Sequence, residues 1–202
     1  MLQLDVLRHG QTTQGHTLRG HLDDALTAEG RQQMQDTIAL YLQQHPVWDA
    51  IVASPLQRCL SFAQDIQQQF GLPLVTMLQF KELYFGDWEG LTLQYIHETQ
   101  PEQLGRFWQD PCQYAPPQGE NLLDFQNRLQ QGCQMLLNQA QQQQWQKVLL
   151  VCHGGVIKWL KCMARQQPLT QLLTMPAELA SIQAIYLKQN EHLQLSIQEQ
   201  IL

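Results

Sequence analysis

The sequence predicts an α/β fold, a mostly parallel sheet flanked by helices, and three observations carry that prediction. Residues 4–7, 50–53 and 147–152 are short apolar runs of strand length, the first interrupted by Asp5. Stretches with apolar residues at helical spacing lie between and after them, and strand–helix alternation is the pattern of a parallel sheet. Each run also stops at residues able to do chemistry: Arg8-His9-Gly10, Ser54-Pro55 and His153-Gly154-Gly155. Carboxyl ends of strands form the ligand-binding rim of such sheets, so these residues are expected to stand together. The 202 residues fit a single domain spanning 1–202.

The opening strand leads through a polar, turn-rich loop at residues 11–26 to Thr27, a helix cap ahead of Ala28. Met34, Ile38, Leu40, Tyr41 and Leu42 carry that helix to about residue 44, where His45-Pro46 ends it. A short buried strand at 50–53 runs into Ser54-Pro55, read as the cap and first turn of a second helix. Cys59, Phe62, Ala63, Ile66 and Phe70 mark its buried face, and Gly71 closes it. A third strand is expected around residues 74–78.

Residues 81–145 show no convincing strand and are expected to form a helical, lid-like insertion over the rim. Within it, 121–144 reads as a long amphipathic helix with Leu122, Phe125, Leu129, Met135 and Leu136 on its apolar face. The strand at 147–152 passes into a helix at 156–164, and strands near 182–187 and 193–197 complete the sheet.

Composition narrows the function. A formal charge of −6 with no basic stripe argues against nucleic acid as a partner. No apolar stretch approaches the roughly 20 residues of a membrane span, and no secretory signal opens the chain. The five cysteines (Cys59, Cys112, Cys133, Cys152 and Cys162) lack paired or zinc-like spacing. Reduced thiols, a cytoplasmic location and no structural metal are therefore expected. The oligomeric state leaves no mark in the sequence.

Arg8 beside His9 indicates an anionic substrate. A guanidinium fork grips a phosphate or carboxylate at two points and keeps its proton, while neutral imidazole is a nucleophile toward phosphorus. Gly10 is expected to permit a sharp turn and close approach of a ligand. Arg58 stands on the same rim, and His153-Gly154-Gly155 repeats the geometry, with the N–H groups of a helix start as an anion site. Residues 80–90, dense in aromatics, glycines and carboxylates, have the composition of a functional loop and bring in Glu82.

Taken in order, four motifs resemble the histidine phosphatase superfamily, also called phosphoglycerate mutase-like, over nearly the whole chain. They are Leu7-Arg8-His9-Gly10, Gly20-His21-x-Asp23-x-x-Leu26-Thr27-x-x-Gly30, Ser54-Pro55-Leu56-x-Arg58 and His153-Gly154-Gly155. Residues 82–89, Pro117-Gln118-Gly119-Glu120 with Phe125 and Arg128, and residues 172–177 look like the α-ribazole-5′-phosphate phosphatases of cobalamin nucleotide-loop assembly.

The resemblance implies hydrolysis of a small phosphate ester with no cofactor. It makes His9 the nucleophile and Glu82 the acid, then the base, with Arg8, Arg58 and a protonated His153 around the phosphate and Gly154 beside them. Where the family carries an asparagine six residues after the nucleophile, this chain has Gly15; Thr12 or Gln14 could take over that phosphate contact. Tyr84, Phe85, Trp88 and Trp108 offer flat surfaces to a benzimidazole nucleoside. A broad-specificity phosphatase and a phosphoglycerate mutase-like enzyme are the competing readings. A non-catalytic phospho-binding module ranks behind them, because all five catalytic candidates are present.

Overall fold

The computed structural model describes residues 1–189 and 195–199. Strands β1 (Leu2–Arg8), β2 (Ala50–Ala53), β3 (Leu74–Thr76), β4 (Lys147–Cys152), β5 (Ile182–Gln189) and β6 (Leu195–Glu199) form one sheet in the order β3-β2-β4-β1-β5-β6. The first four run parallel, and β5 and β6 add an antiparallel edge beside β1. β4 lies between β1 and β2 and is buried at every position, so its sequence has no polar alternation. The expected start of the last strand, at 193–194, lies outside the described residues.

Among the described residues six α-helices accompany the sheet: α1 (Ala28–Leu42), α2 (Gln57–Phe70), α3 (Leu93–Thr99), α4 (Pro101–Gln109), α5 (Leu122–Gln143) and α6 (Gly154–Ala164). Met34 and Ile38 of α1 and Phe62 and Ile66 of α2 pack with Leu7, Ile51 and Val151 on one face. Phe125, Leu129 and Leu136 of α5 and Val156 and Leu160 of α6 pack with Leu4, Val52 and Leu150 on the other. Within the segment 81–145, α5 packs on the sheet, and Leu83 and Trp88 of the loop, Ile96 of α3 and Leu104 and Phe107 of α4 join that same core. Met135, expected on the apolar face of α5, is exposed; it stands about 120° around the helix from Leu129.

Register positions the chemistry. Arg8 pairs with Cys152, and Ala53 with Val151. The His9 N–H then donates to the Cys152 carbonyl at 3.1 Å, and the Ser54 N–H to that of Val151 at 3.0 Å. His9, His153 and Ser54 become neighbours because three parallel strands end in line. Ser54-Pro55 does not cap α2 as expected: the helix begins at Gln57, and its N-cap Leu56 makes no side-chain bond. Asp23 of the 11–26 loop caps it instead, accepting the Gln57 N–H at 2.6 Å, an acidic group at a helix start. The hydroxyl of Ser54 is taken by His153.

Asp5, which interrupts the first apolar run, is a fully buried carboxylate with its needs met. It accepts from Tyr41 Oη and Trp48 Nε1, both at 2.7 Å, and pairs with Lys147 Nζ at 3.3 Å. Gly10 also has a different cause from the one expected. It does not carry a positive φ; a Cβ there would lie 2.1 Å from the Gly30 carbonyl oxygen. In turn, a Cβ on Gly30 would lie 2.0 Å from that of Gln11. The first turn of α1 rests backbone to backbone on the loop that carries His9.

Gly30→Ala therefore sets two effects against each other. Helix propensity alone would favour alanine by about 1 kcal/mol, whereas overpacking costs about 1–3 kcal/mol. Because the clash is with backbone, we expect net destabilisation, read as a lower urea midpoint; a raised midpoint would contradict the packing described.

Candidate active site

A cavity of about 600 Å³ opens at the carboxyl ends of β1 and β4, lined there by Arg8, His9, Glu82, Gly154 and Gly155. His9 is buried, and its Nδ1–H donates to the Gly10 carbonyl at 2.8 Å. A carbonyl can only accept, so the proton sits on Nδ1 and the Nε2 lone pair is available. Burial first, then the Arg58 charge, holds the His9 pKa well below the usual histidine value. The ring is neutral and can act as a nucleophile as it stands.

Glu82 faces the same cavity. Its carboxylate accepts the N–H of Leu83 at 2.9 Å and that of Gly155 at 3.0 Å. The amide expected to hold a ligand at the start of α6 thus holds this carboxylate, and a Cβ on Gly155 would lie 2.2 Å from Glu82 Oε1. Arg128 fixes the loop by donating to the carbonyls of Gln79 (2.7 Å), Lys81 (2.9 Å) and Glu82 (3.2 Å) while clasping Glu120. Glu89 accepts the N–H groups of His21 and Leu22, both at 2.6 Å, and so ties this loop to the 11–26 loop.

The five catalytic candidates are brought together at two depths. Arg8 lines the cavity; its Nη1 donates to the Ala177 carbonyl, and its buried Nε has no partner among the described residues. Arg58 and His153 are fully buried and do not line it. Arg58 donates from Nη1 to Leu22 O (2.8 Å) and Asp24 Oδ1 (3.2 Å), and from Nη2 to Gly20 O (2.8 Å). Its Nε–H donates to His153 Nδ1 at 3.3 Å.

That last bond makes His153 Nδ1 an acceptor, so the ring proton lies on Nε2 and is given to Ser54 Oγ at 2.7 Å. The expected protonated His153 is therefore not what these hydrogen bonds hold, which leave the ring neutral with its one proton on Nε2. Burial, then Arg58, pushes its pKa well below the usual value, and its ring stands edge-on behind His9 with centroids 5.4 Å apart.

Neither Thr12 nor Gln14 lies on the cavity wall. Thr12 is buried and bridges to Leu26, while Gln14 and Gly15 are exposed. Arg19, which was not singled out from the sequence, lines the cavity instead, as do Lys158 and Glu178. A signal was present for the first of these, since Arg19 is the one arginine of the 11–26 loop and directly precedes Gly20-His21. Of the aromatics, Phe85, Trp88 and Trp108 line the cavity. Trp88 is wholly buried, its Nε1–H on Gln100 Oε1 at 2.8 Å, and Trp108 is 53% exposed. Tyr84 stands outside, packed on His21.

The five cysteines carry free thiols, and among the described residues no helix is long and apolar enough to cross a membrane. A sequence model of the histidine phosphatase superfamily (branch 1) matches residues 4–199. The chain is 32% identical to a glucosyl-3-phosphoglycerate phosphatase of Mycolicibacterium vanbaalenii, covering 77% of this chain and 70% of that one. It is 28% identical to an adenosylcobalamin/α-ribazole phosphatase of Escherichia coli, covering 88% and 82%. The solved structure of a mycobacterial glucosyl-3-phosphoglycerate phosphatase superposes with a TM-score of 0.83 at 25% identity, over 100% of this chain and 98% of the other.

Two buried neutral histidines link stability to pH. His9 and His153 have folded pKa values below the unfolded value, so each takes up a proton on unfolding in acid. Stability is then fully present above about pH 6.5 and falls as pH drops below it. The pair contributes a loss of about 2–3 kcal/mol one pH unit lower. Urea midpoints followed between neutral and mildly acid pH should show this fall, and His153→Gln should remove about half of it. A midpoint that rises toward acid would contradict the assignment.

Proposed function

The chain belongs to the histidine phosphatase superfamily, and on that premise we propose that it hydrolyses phosphomonoesters through a phosphohistidine, with α-ribazole 5′-phosphate or its cobalamin-linked form as substrate. The observation that carries the reading is His9: a neutral ring, tautomer set by Gly10, facing a cavity it shares with Arg8 and Glu82. His9 Nε2 attacks phosphorus as the P–O ester bond breaks, and Glu82, entering this step as the protonated acid, gives its proton to the departing oxygen. Water then attacks the phosphohistidine, Glu82 takes its proton, and inorganic phosphate leaves with His9 restored. Arg8, on the cavity wall beside His9, meets the charge on the transferring group. Arg58 acts from behind by holding His9 neutral and fixing the 11–26 loop, and the His153 ring packs edge-on against that of His9.

Phe85, Phe107, Trp108, Leu172 and Leu173 supply an apolar wall suited to a flat heterocyclic leaving group. The segment of α3 and α4 that contributes Leu93, Leu104, Phe107 and Trp108 serves as the lid over that end. A second reading, glucosyl-3-phosphoglycerate as substrate, is favoured by Lys158 on the same wall, a cation for a substrate carboxylate.

His9→Ala should abolish both turnover and the acid-labile phosphoenzyme trapped by alkaline quench; substantial residual activity would rule out the covalent route. Across α-ribazole 5′-phosphate, glucosyl-3-phosphoglycerate, 3-phosphoglycerate and p-nitrophenyl phosphate, kcat/KM should favour the first by about tenfold or more. Preference for glucosyl-3-phosphoglycerate, lost in Lys158→Ala, would establish the second reading instead.

A further inference from the structure

We propose that Arg19 is a phosphate-binding residue of this site, placed to grip the transferring group alongside Arg8. The proposal rests on the phosphatase reading above and deepens it by naming a residue of the phosphate cradle.

The donors available to an anion are few. Arg58 has spent its nitrogens on Leu22, Asp24, Gly20 and His153. Both ring nitrogens of His153 are engaged, and the Gly155 N–H is given to Glu82. Lys158 lines the cavity, but its Nζ donates to the Leu173 carbonyl at 2.9 Å. Gly15 has no side chain, and Gln14 points to solvent. Arg8 alone, with one Nη1 hydrogen already given to the Ala177 carbonyl, would then face a phosphate dianion.

Arg19 fills that deficit. Its side chain is 14% exposed on the cavity wall. Of the five N–H donors of a guanidinium, one is used on Thr12 Oγ1, and the others have no acceptor among the described residues. Asp24 Oδ2 lies 3.7 Å away, too far for a hydrogen bond, and has no other partner. It offsets the charge of Arg19 without occupying the fork. Burial and the neighbouring charges of Arg58 and Arg8 all disfavour the Arg19 cation, with Asp24 opposing them, and an incoming dianion would relieve that repulsion.

The residue is also held in place before any ligand arrives. Arg58 donates to the Gly20 carbonyl next door, the Leu18 N–H bonds to Leu91 O at 2.8 Å, and a Cβ on Gly20 would lie 2.2 Å from Leu83 O. A fork on a fixed loop, on the wall of the cavity, is the preorganised arrangement that phosphoryl transfer rewards.

Calorimetric titration of inorganic phosphate into the wild type, Arg19→Gln and Arg19→Lys tests the proposal without turnover. We expect Arg19→Gln to weaken phosphate binding about 10- to 100-fold at an unchanged melting temperature. Arg19→Lys, which keeps the charge but loses the fork, should weaken it about tenfold. Phosphate binding within about twofold of wild type in a folded Arg19→Gln protein would overturn the proposal. If that variant does not fold, the same result in Arg19→Lys overturns it. A wild type that binds phosphate yet hydrolyses no ester would sink the phosphatase reading alone. An active wild type whose variants bind phosphate normally would sink this proposal alone.

Discussion

A permanent charge in a place without water governs this site. Arg58 is wholly buried, and its guanidinium does not release its proton. Burying such a group without partners is prohibitive, so every nitrogen must find an acceptor in the plane of the fork. The acceptors are the carbonyls of Gly20 and Leu22, the carboxylate of Asp24 and the ring of His153. One side chain on the first turn of α2 therefore fixes the path of the 11–26 loop and the rotamer of the histidine after β4. The loop in turn reaches back to cap α2 with Asp23. Strand end, loop and helix start are mutually dependent because a single cation has to be satisfied.

The same charge sets the chemistry of its neighbours. After burial itself, Arg58 is the largest influence holding both His9 and His153 below the usual histidine range. A nucleophile must have its lone pair, and here it has it without a dedicated base. The Gly10 carbonyl selects which nitrogen is free, and the Arg58–His153–Ser54 chain fills the space behind the ring with groups whose protons are already assigned. What the His9 ring faces is then a cavity in which Arg8 and Arg19 stand beside Glu82, cations for an anion and a carboxyl group for a proton. Glu82 meets that cavity with its carboxyl oxygens on two backbone amides, held there by the reach of Arg128 across 46 residues of chain.

The frame of the molecule was legible and the orientation of its donors was not. β2 and β4 begin and end where the apolar runs do, because a central parallel strand has no polar side to blur its limits. Gly71 closes α2 with a positive φ, as its position suggested. The convergence of Arg8, His9, Arg58, Glu82 and His153 followed from strand ends on one rim. Local rules failed wherever a distant partner outbid them. Ser54 Oγ accepts from His153, 99 residues away, instead of capping α2. Gly10 is required by Gly30 and not by its own backbone angles. Gly155 donates to Glu82, 73 residues distant, so its amide is not the vacant anion site that a helix start suggests. A motif names the residues that will meet; which way each hydrogen points depends on pairings that no window of sequence contains.

Magnitudes bear on which leaving group the cavity accepts. Removing a flat bicyclic ring from water against Phe85, Phe107 and Trp108 covers on the order of 150 Å², for about 4 kcal/mol as an upper bound. A substrate carboxylate at Lys158 would form an ion pair in a partly exposed position, where such pairs contribute about 0–1 kcal/mol. It would also displace the ammonium from the Leu173 carbonyl and sit on a wall that includes Glu178. Lys158 and Glu178 oppose each other in charge, and Lys158 lies close enough to Arg8 and Glu82 to interact with them, so a substrate carboxylate at Lys158 would also meet the repulsion of two acidic groups. Under the proposed reading the apolar term therefore outweighs the ionic one, which favours a heterocyclic leaving group over a carboxylate-bearing one.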